Sequence, residues 1–224
     1  MVKPMIYLLR HGQTEFNLAH RFQGHSDSPL TDLGARQGIA LGRLLAQLLA
    51  ARPGPNPDPE PHPDPVLLTS PLGRARATAE RLARALPPPA GSSAGSPAGS
   101  PVAFTPEPRL AEVSLGRWDG LTRAEIAAGW PDARRGRPKK QWMFHAPGGE
   151  SLPAVTARLT AVLDEARARQ ADTVMVSHAV TGRLLRGLHA GQPLDEALLL
   201  DAPQNVIFAL GPGGAITRHA LEGI

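Results

Sequence analysis

Four side chains suited to binding or attacking an anion stand at the ends of three apolar runs. MIYLLRHG (5–12) stops at Arg10, His11 and Gly12, VLLTSPLGR (66–74) leads to Arg74, and VMVSHAVTGR (174–183) leads to His178. Arg offers a fixed charge and a planar fork of donors that fits phosphate or carboxylate oxygens, and His offers a ring nitrogen that attacks phosphorus or carries a proton. If the runs are neighbouring parallel strands, their exits meet in one crevice, because ligands of open α/β sheets collect beyond the carboxyl ends of the strands. Converging cations repel. Arg74 and His178 also fall in the first turns of the helices that follow, where the macrodipole disfavours cations by about 0.3 to 1 kcal/mol. A bound dianion reverses both penalties, and the free amides of those helix starts add donors. The constellation predicts a phosphate-sized pocket built without a metal or a Gly-rich phosphate loop.

Two histidines in such a pocket divide the work. His11, on a tight strand exit beside a glycine that lets backbone approach the ring, can present a nitrogen to phosphorus in line with the leaving oxygen, forming a phosphohistidine. Arg10, Arg74 and His178 would then hold the equatorial oxygens of the transition state. The leaving alkoxide needs a proton from a nearby carboxylic acid, and RLAEVSLGRWDGL (109–121) offers Glu112 and Asp119. Asp119 reads as a solvated loop charge. Glu112 follows Leu110 in a segment with few other charges, which suits a buried acid with a raised pKa.

The elements that must position these groups are legible from periodicity. After SPLTDLG, Leu41, Leu44, Leu45, Leu48 and Leu49 repeat at helical spacing, predicting an amphipathic helix over 32–51. PVLLTS (65–70) reads as a buried strand, followed by Ser70 and Pro71 as N-cap and first-turn residue of a helix that turns Leu72, Ala75, Ala79, Leu82 and Leu86 inward. DTVMVSH (172–178) repeats the scheme with the helix AVTGRLLRGLHAG, and NVIFAL and AITRHAL flank GPGG as an antiparallel hairpin. The fold class that follows is α/β: a mostly parallel central sheet with an antiparallel edge strand and helices on both faces, a three-layer sandwich.

The 224 residues suit one domain, 1–224, with Pro- and Gly-rich surface insertions at 53–65 and 87–101. Within the second, GSSAG (91–95) matches the nucleophile elbow of serine hydrolases and would make Ser93 a nucleophile. Both its flanks are low-complexity, where an elbow needs a strand before and a helix after. No apolar run approaches the roughly 18 to 20 residues that span a bilayer, which points to a cytoplasmic protein without a membrane partner. Cysteine is absent, removing thiolate nucleophiles and Cys-bearing metal sites. Net charge is +4, and RRGRPKK (134–140) is the one basic cluster. Without interleaved aromatics it reads as a solvated loop rather than a nucleic-acid module.

Taken together these motifs resemble the histidine phosphatase superfamily, also called the phosphoglycerate mutase-like family. LLRHGQTEFN, RFQGHSDSPLTDLGARQG, TSPLGRARATA, LAEVSLGRWDGLT, APGGESL and VSHAVTGRLLRG fall in the family's order along nearly the whole chain. The resemblance implies His11 as the phosphorylated nucleophile, Arg10, Arg74 and His178 as the phosphate clamp with Asn17 beside them, and Glu112 as proton donor. It also implies that Thr14, Gln23 and Gly24 line the mouth of the pocket. The expected activity is metal-independent phosphomonoester hydrolysis of a small phosphorylated metabolite, with no cofactor. The segment from Leu121 to Ser151 is short and ends in PGGES, which looks like the phosphatase branch, while Arg134 and Arg135 could imitate the paired Arg of the mutases and make a 2,3-bisphosphoglycerate-dependent mutase the alternative.

Overall fold

The computed structural model describes residues 3–52, 63–87, 103–138 and 140–223. Of the expected insertions only 63–65 and Pro87 fall within them, and Ser93 lies outside. A six-stranded sheet of order β3-β2-β4-β1-β5-β6 forms the centre. β1 (Ile6–Arg10), β4 (Thr173–Ser177), β2 (Val66–Thr69) and the short β3 (Thr105–Pro106) run parallel, and β5 (Val206–Leu210) and β6 (Ile216–Ala220) are antiparallel to their neighbours. The antiparallel edge is therefore the predicted hairpin.

Alternation along β1 separates two cores, since successive strand side chains point to opposite faces. Ile6 and Leu8 pack on one side, with α5 (Leu152–Ala168) and α6 (Ala179–Ala190) supplying Val155, Leu159, Leu184 and Leu185. Tyr7 and Leu9 pack on the other, against α2 (Asp32–Ala50) and α3 (Gly73–Ala83). The leucine stripe of α2 faces this second core, with Leu41 and Leu45 fully buried. Helices thus cover both faces.

α3 starts later than the sequence suggests. Its N-cap is Leu72, not Ser70, and Ser70 instead accepts a hydrogen bond from the Leu72 amide at 3.2 Å while its hydroxyl meets the His178 ring. The extended Leu72 backbone delays the helix and leaves Ser70 for the site. Of the predicted inward residues, Ala75, Ala79 and Leu82 are buried and Leu86 packs at the margin.

Register brings the predicted strand exits together. Arg10 is paired with Ser177 across β1 and β4, and Thr69 with Val176 across β2 and β4. The His11 amide bonds the Ser177 carbonyl at 2.9 Å and the Ser70 amide bonds the Val176 carbonyl at 2.9 Å, extending the ladder past the last residue of each strand. Gly12 is needed for a different reason than room beside the ring. A side chain there would collide with the Gly34 carbonyl in the first turn of α2, and one at Gly34 would collide with the backbone of Gln13. Two glycines let the start of α2 lie directly on the loop that carries His11.

Overpacking at that contact has to move backbone rather than a flexible side chain. Gly34→Ala is expected to cost about 1 to 3 kcal/mol or somewhat more, read as a lower urea midpoint at unchanged m-value; wild-type stability would mean the loop and helix are not held in contact.

Candidate active site

A cleft of about 280 Å³ opens beyond the carboxyl ends of β1, β2 and β4, and Arg10, His11, Asn17, Gln23, Gly24, Arg74, Glu112 and Arg183 are on its wall. Arg74 organises the floor. Only 2% exposed, it donates from its Nη atoms to the carbonyls of Gly24 and Ser26, each at 2.8 Å, and to Asp27 Oδ1 at 3.1 Å. Its Nε donates to His11 Nε2 at 3.3 Å. Burial pulls the Arg74 pKa down, opposed by the negative charges of Glu112 and Asp27. Gly24, with φ +25°, turns its carbonyl to Arg74, and a Cβ there would strike the Asp119 carboxylate.

His11 is almost wholly buried, reaches the cleft wall and is fixed in one tautomer. Nδ1 lies 2.8 Å from the Gly12 carbonyl, which can only accept, so Nδ1 carries the proton and Nε2 keeps its lone pair. Burial, then the charges of Arg10 and Arg74, hold the His11 pKa well below 6.5. His178 is the N-cap residue of α6, with Nε2 at 2.7 Å from Ser70 Oγ and its ring centroid 5.2 Å from that of His11. Burial and the charge of Arg74 likewise depress its pKa. His178 is beside His11 and, unlike it, lines not the main cleft but a smaller cavity that Arg10 also touches.

Arg10 donates from Nη1 to the Ala202 carbonyl at 2.6 Å. Burial lowers its pKa to about 10, so it stays cationic at neutral pH. Its Nε and His178 Nδ1 are buried without a hydrogen-bond partner among the described residues. Orphaned buried polar atoms are rare in native structures, and of the five among the described residues one is on Arg10, next to His11 in the chain, and one on His178, beside the His11 ring, which fits a site that takes an anion.

Glu112 is seated on the start of α6. Oε2 accepts from the Val180 amide at 3.0 Å, and Oε1 accepts from the amides of Val113 and Thr181 and from the Thr181 hydroxyl, each at 3.0 Å. The helix start therefore holds the carboxylate in one orientation at the cleft wall. Asp119 is not a solvated loop charge. It accepts from the amides of Leu115 at 3.2 Å and His25 at 3.0 Å, pinning the segment that carries Glu112 to the one that carries Gly24.

Asn17 joins the wall with its Oδ1 taken by the Thr14 amide at 3.1 Å and by Gln204 Nε2 at 2.8 Å, which leaves its amide nitrogen for a ligand. Thr14, expected at the mouth, lies beneath it. Its hydroxyl, wholly buried, accepts from Gln23 Nε2 at 2.6 Å and from the Asn17 amide at 3.2 Å as N-cap of α1 (Glu15–Leu18). It braces two wall residues without being one. The basic run is not wholly solvated either, since Arg134 and Lys140 reach the cleft wall. Lys139 lies outside the described residues.

Sequence reasoning missed Ser70, Thr181, Arg183 and Gln204. Ser70 and Thr181 lie inside motifs already singled out, so proximity to Arg74 and His178 could have flagged them. Gln204 carries no such signal, yet it donates to both the His11 carbonyl and Asn17. Among the described residues no group of three or more His, Asp or Glu is placed to hold a metal, and none of their helices is long and apolar enough to cross a membrane.

The family model of the histidine phosphatase superfamily (branch 1) matches residues 6–210. A glucosyl-3-phosphoglycerate phosphatase of Mycolicibacterium vanbaalenii is 33% identical over 200 residues, covering 85% of this chain and 76% of its own. A probable phosphoglycerate mutase of Photorhabdus laumondii is 31% identical, over 84% of this chain and 75% of its own. Among solved structures, a mycobacterial glucosyl-3-phosphoglycerate phosphatase complexed with VO3 superimposes with a TM-score of 0.68 at 27% identity, covering 97% of each chain.

The two neutral histidines set a pH dependence of stability. Unfolded, they take up protons as pH falls through about 6.5; folded, with depressed pKa values, they do not. The unfolded state binds more protons, so their contribution to stability is present above about pH 6.5 and is lost below it. Melting temperature is expected to fall from pH 7.5 to pH 5.5 with a slope that flattens in a His11→Gln, His178→Gln double variant; an unchanged slope would assign the acid sensitivity elsewhere.

Proposed function

The chain belongs to branch 1 of the histidine phosphatase superfamily and is a phosphatase, and from that premise we propose that it hydrolyses a small phosphorylated metabolite through a phosphohistidine on His11. The observation that supports this most is the locked tautomer. The Gly12 carbonyl keeps the proton on Nδ1, so Nε2 keeps its lone pair, which at rest accepts from Arg74 Nε at 3.3 Å and must exchange that long bond for phosphorus when a substrate enters.

In the first step Nε2 attacks phosphorus and the phosphorus–oxygen ester bond breaks. The leaving oxygen takes a proton from Glu112. The ring becomes cationic, and the Gly12 carbonyl, accepting from Nδ1–H, stabilises that charge. Arg10, Arg74, Asn17 and His178 supply donors to the three equatorial oxygens, fixed before the reaction so that no reorganisation is needed as charge moves. The proton on Glu112 is supplied by the substrate, since phosphomonoesters have a second ionisation near pH 6. In the second step Glu112 takes a proton from water, the oxygen attacks phosphorus, and the phosphorus–nitrogen bond breaks to release phosphate. Gln23 and Gly24 shape the wall around this centre, and Thr14 holds Gln23. We take the reaction to be cytoplasmic, the compartment in which small phosphorylated metabolites are retained.

A mutase must keep its phosphohistidine from water until a second substrate molecule returns. The phosphatase named among the relatives covers this chain at 33% identity, and the long insert with paired Arg and a proline run that marks the mutases is missing.

The two roles of Glu112 separate by leaving group. Nitrophenolate needs no proton, so Glu112→Gln is expected to release about one equivalent of nitrophenol from p-nitrophenyl phosphate in a burst and then stall as phosphoenzyme. For an alkyl phosphate the same variant loses about 10²- to 10⁴-fold in kcat, the usual worth of a general acid. His11→Ala should show neither burst nor protein-bound phosphoryl label. Label retained in His11→Ala would remove the phosphohistidine reading.

A further inference from the structure

His178 stands at the N-cap of α6 without capping it. Thr14, Thr31, Thr122 and Ser151 head α1, α2, α4 (Arg123–Gly129) and α5, and each hydroxyl accepts from an amide of its own helix. The His178 side chain makes no such bond, and Glu112 takes the amides of Val180 and Thr181 in its place. The ring meets Ser70 instead, whose Oγ lies 2.7 Å from Nε2. Both residues are buried, Ser70 completely. The Ser70 hydroxyl already accepts from the Leu72 amide at 3.2 Å, and among the described residues the one acceptor in reach of its own proton is His178 Nε2. A hydroxyl has a single proton to donate, and leaving it unpaired in a buried site costs the desolvation penalty of that group.

We propose that Ser70 is a positioning residue for phosphoryl binding: its hydroxyl donates to His178 Nε2 and so keeps the ring proton of the neutral histidine on Nδ1, where it can be given to a phosphoryl oxygen. The inference rests on the reading of the cleft around His11 as the phosphoryl site. With Nε2 protonated instead, Ser70 would receive two donors and its own proton would have no acceptor, while Nδ1 would turn a lone pair on an anion and repel it. With Nδ1 protonated, the pair uses every polar atom but one. That one is Nδ1–H, buried and without an acceptor among the described residues. Arg10 Nε is a second such donor, and Arg10 and His178 line one small cavity. The two histidine rings are 5.2 Å apart by centroid, so a phosphoryl group against His11 offers oxygens to both donors. Burial and the charge of Arg74 disfavour a second proton on His178, which leaves the choice of tautomer, rather than charge, to decide whether this histidine donates. A backbone carbonyl fixes His11, but a carbonyl could not do the same for His178, since it only accepts and would draw the proton to Nε2. A hydroxyl that is itself held by the Leu72 amide can donate.

Nitrogen NMR of the protein labelled at its histidines reads the tautomer directly, and the spectrum of His178→Gln identifies the His178 resonances by their loss. Wild type without ligand at pH 7.5 is expected to show His178 protonated on Nδ1 and unprotonated on Nε2. Ser70→Ala is expected to shift the ring toward the Nε2–H form and to weaken binding of inorganic phosphate, measured by calorimetry, about 10-fold or more, the worth of a hydrogen bond to a charged group. A structural role for Ser70 through the Leu72 amide alone would lower the melting temperature and leave the His178 tautomer in place. A wild-type His178 that carries its proton on Nε2 overturns the proposal, whether or not Ser70→Ala folds. So does a folded Ser70→Ala in which the proton stays on Nδ1 or phosphate binds as in wild type. The tautomer is read in the resting protein and needs no turnover. A wild type with Nδ1–H that hydrolyses no phosphomonoester would overturn the phosphatase reading, and the phosphate affinities would still decide the role of Ser70.

Discussion

A buried guanidinium that cannot lose its proton is the constraint around which the cleft is arranged. Arg74 is almost wholly buried and remains charged, so most of its donors must find acceptors inside the protein. The carbonyls of Gly24 and Ser26, the carboxylate of Asp27 and the imidazole of His11 take four of its five N–H groups, and one on Nη2 is left without an acceptor among the described residues. Satisfying this cation folds the 23–28 loop over the start of α3, brings Gly24 to the cleft wall, and orients the His11 ring. The same residue that would bind phosphate also holds the His11 ring.

Two further cations of the cleft are held by backbone carbonyls. Arg183 Nε donates to the Leu200 carbonyl at 2.6 Å, and Arg10 Nη1 to the Ala202 carbonyl at 2.6 Å. Gln204, two residues on, reaches back to the His11 carbonyl and Asn17. A carbonyl fixes an arginine without neutralising it, so residues 200–204 position the cleft while leaving its charge available to a ligand. A carboxylate in their place would hold the same geometry and cancel the field.

Histidine chemistry in this setting depends on exclusion of the proton as much as on proximity. An exposed imidazole would be partly protonated near neutral pH and would have no lone pair to offer in that form. Burial and two neighbouring guanidiniums keep His11 neutral, and the Gly12 carbonyl decides which nitrogen keeps its lone pair. The cost falls on the folded state at acidic pH, since neutral buried histidines are a proton-linked liability there.

By itself the sequence determined five of the six strands, the helices α2, α3 and α6 and the identity of the groups at their ends, while the short edge strand β3 and α5 went unread. Those features are local: apolar alternation, helical spacing of leucines from Leu41 to Leu49, and the abrupt change to Arg10, His11, Arg74 and His178 are written in consecutive residues. The tertiary structure decided what a local pattern cannot carry. It placed β4 between β1 and β2, which is what makes three exits one cleft. It put Thr14 under the wall instead of on it, turned Asp119 from a surface charge into a clamp on two amides, and carried Arg134 to the cleft wall that also holds Arg10 and His11, more than a hundred positions away. It also supplied the backbone acceptors at 200–202 and the Gln204 bridge, which no motif announces. Carbonyl groups are common to every residue, so where they point depends on how distant segments pack and not on which side chains they bear.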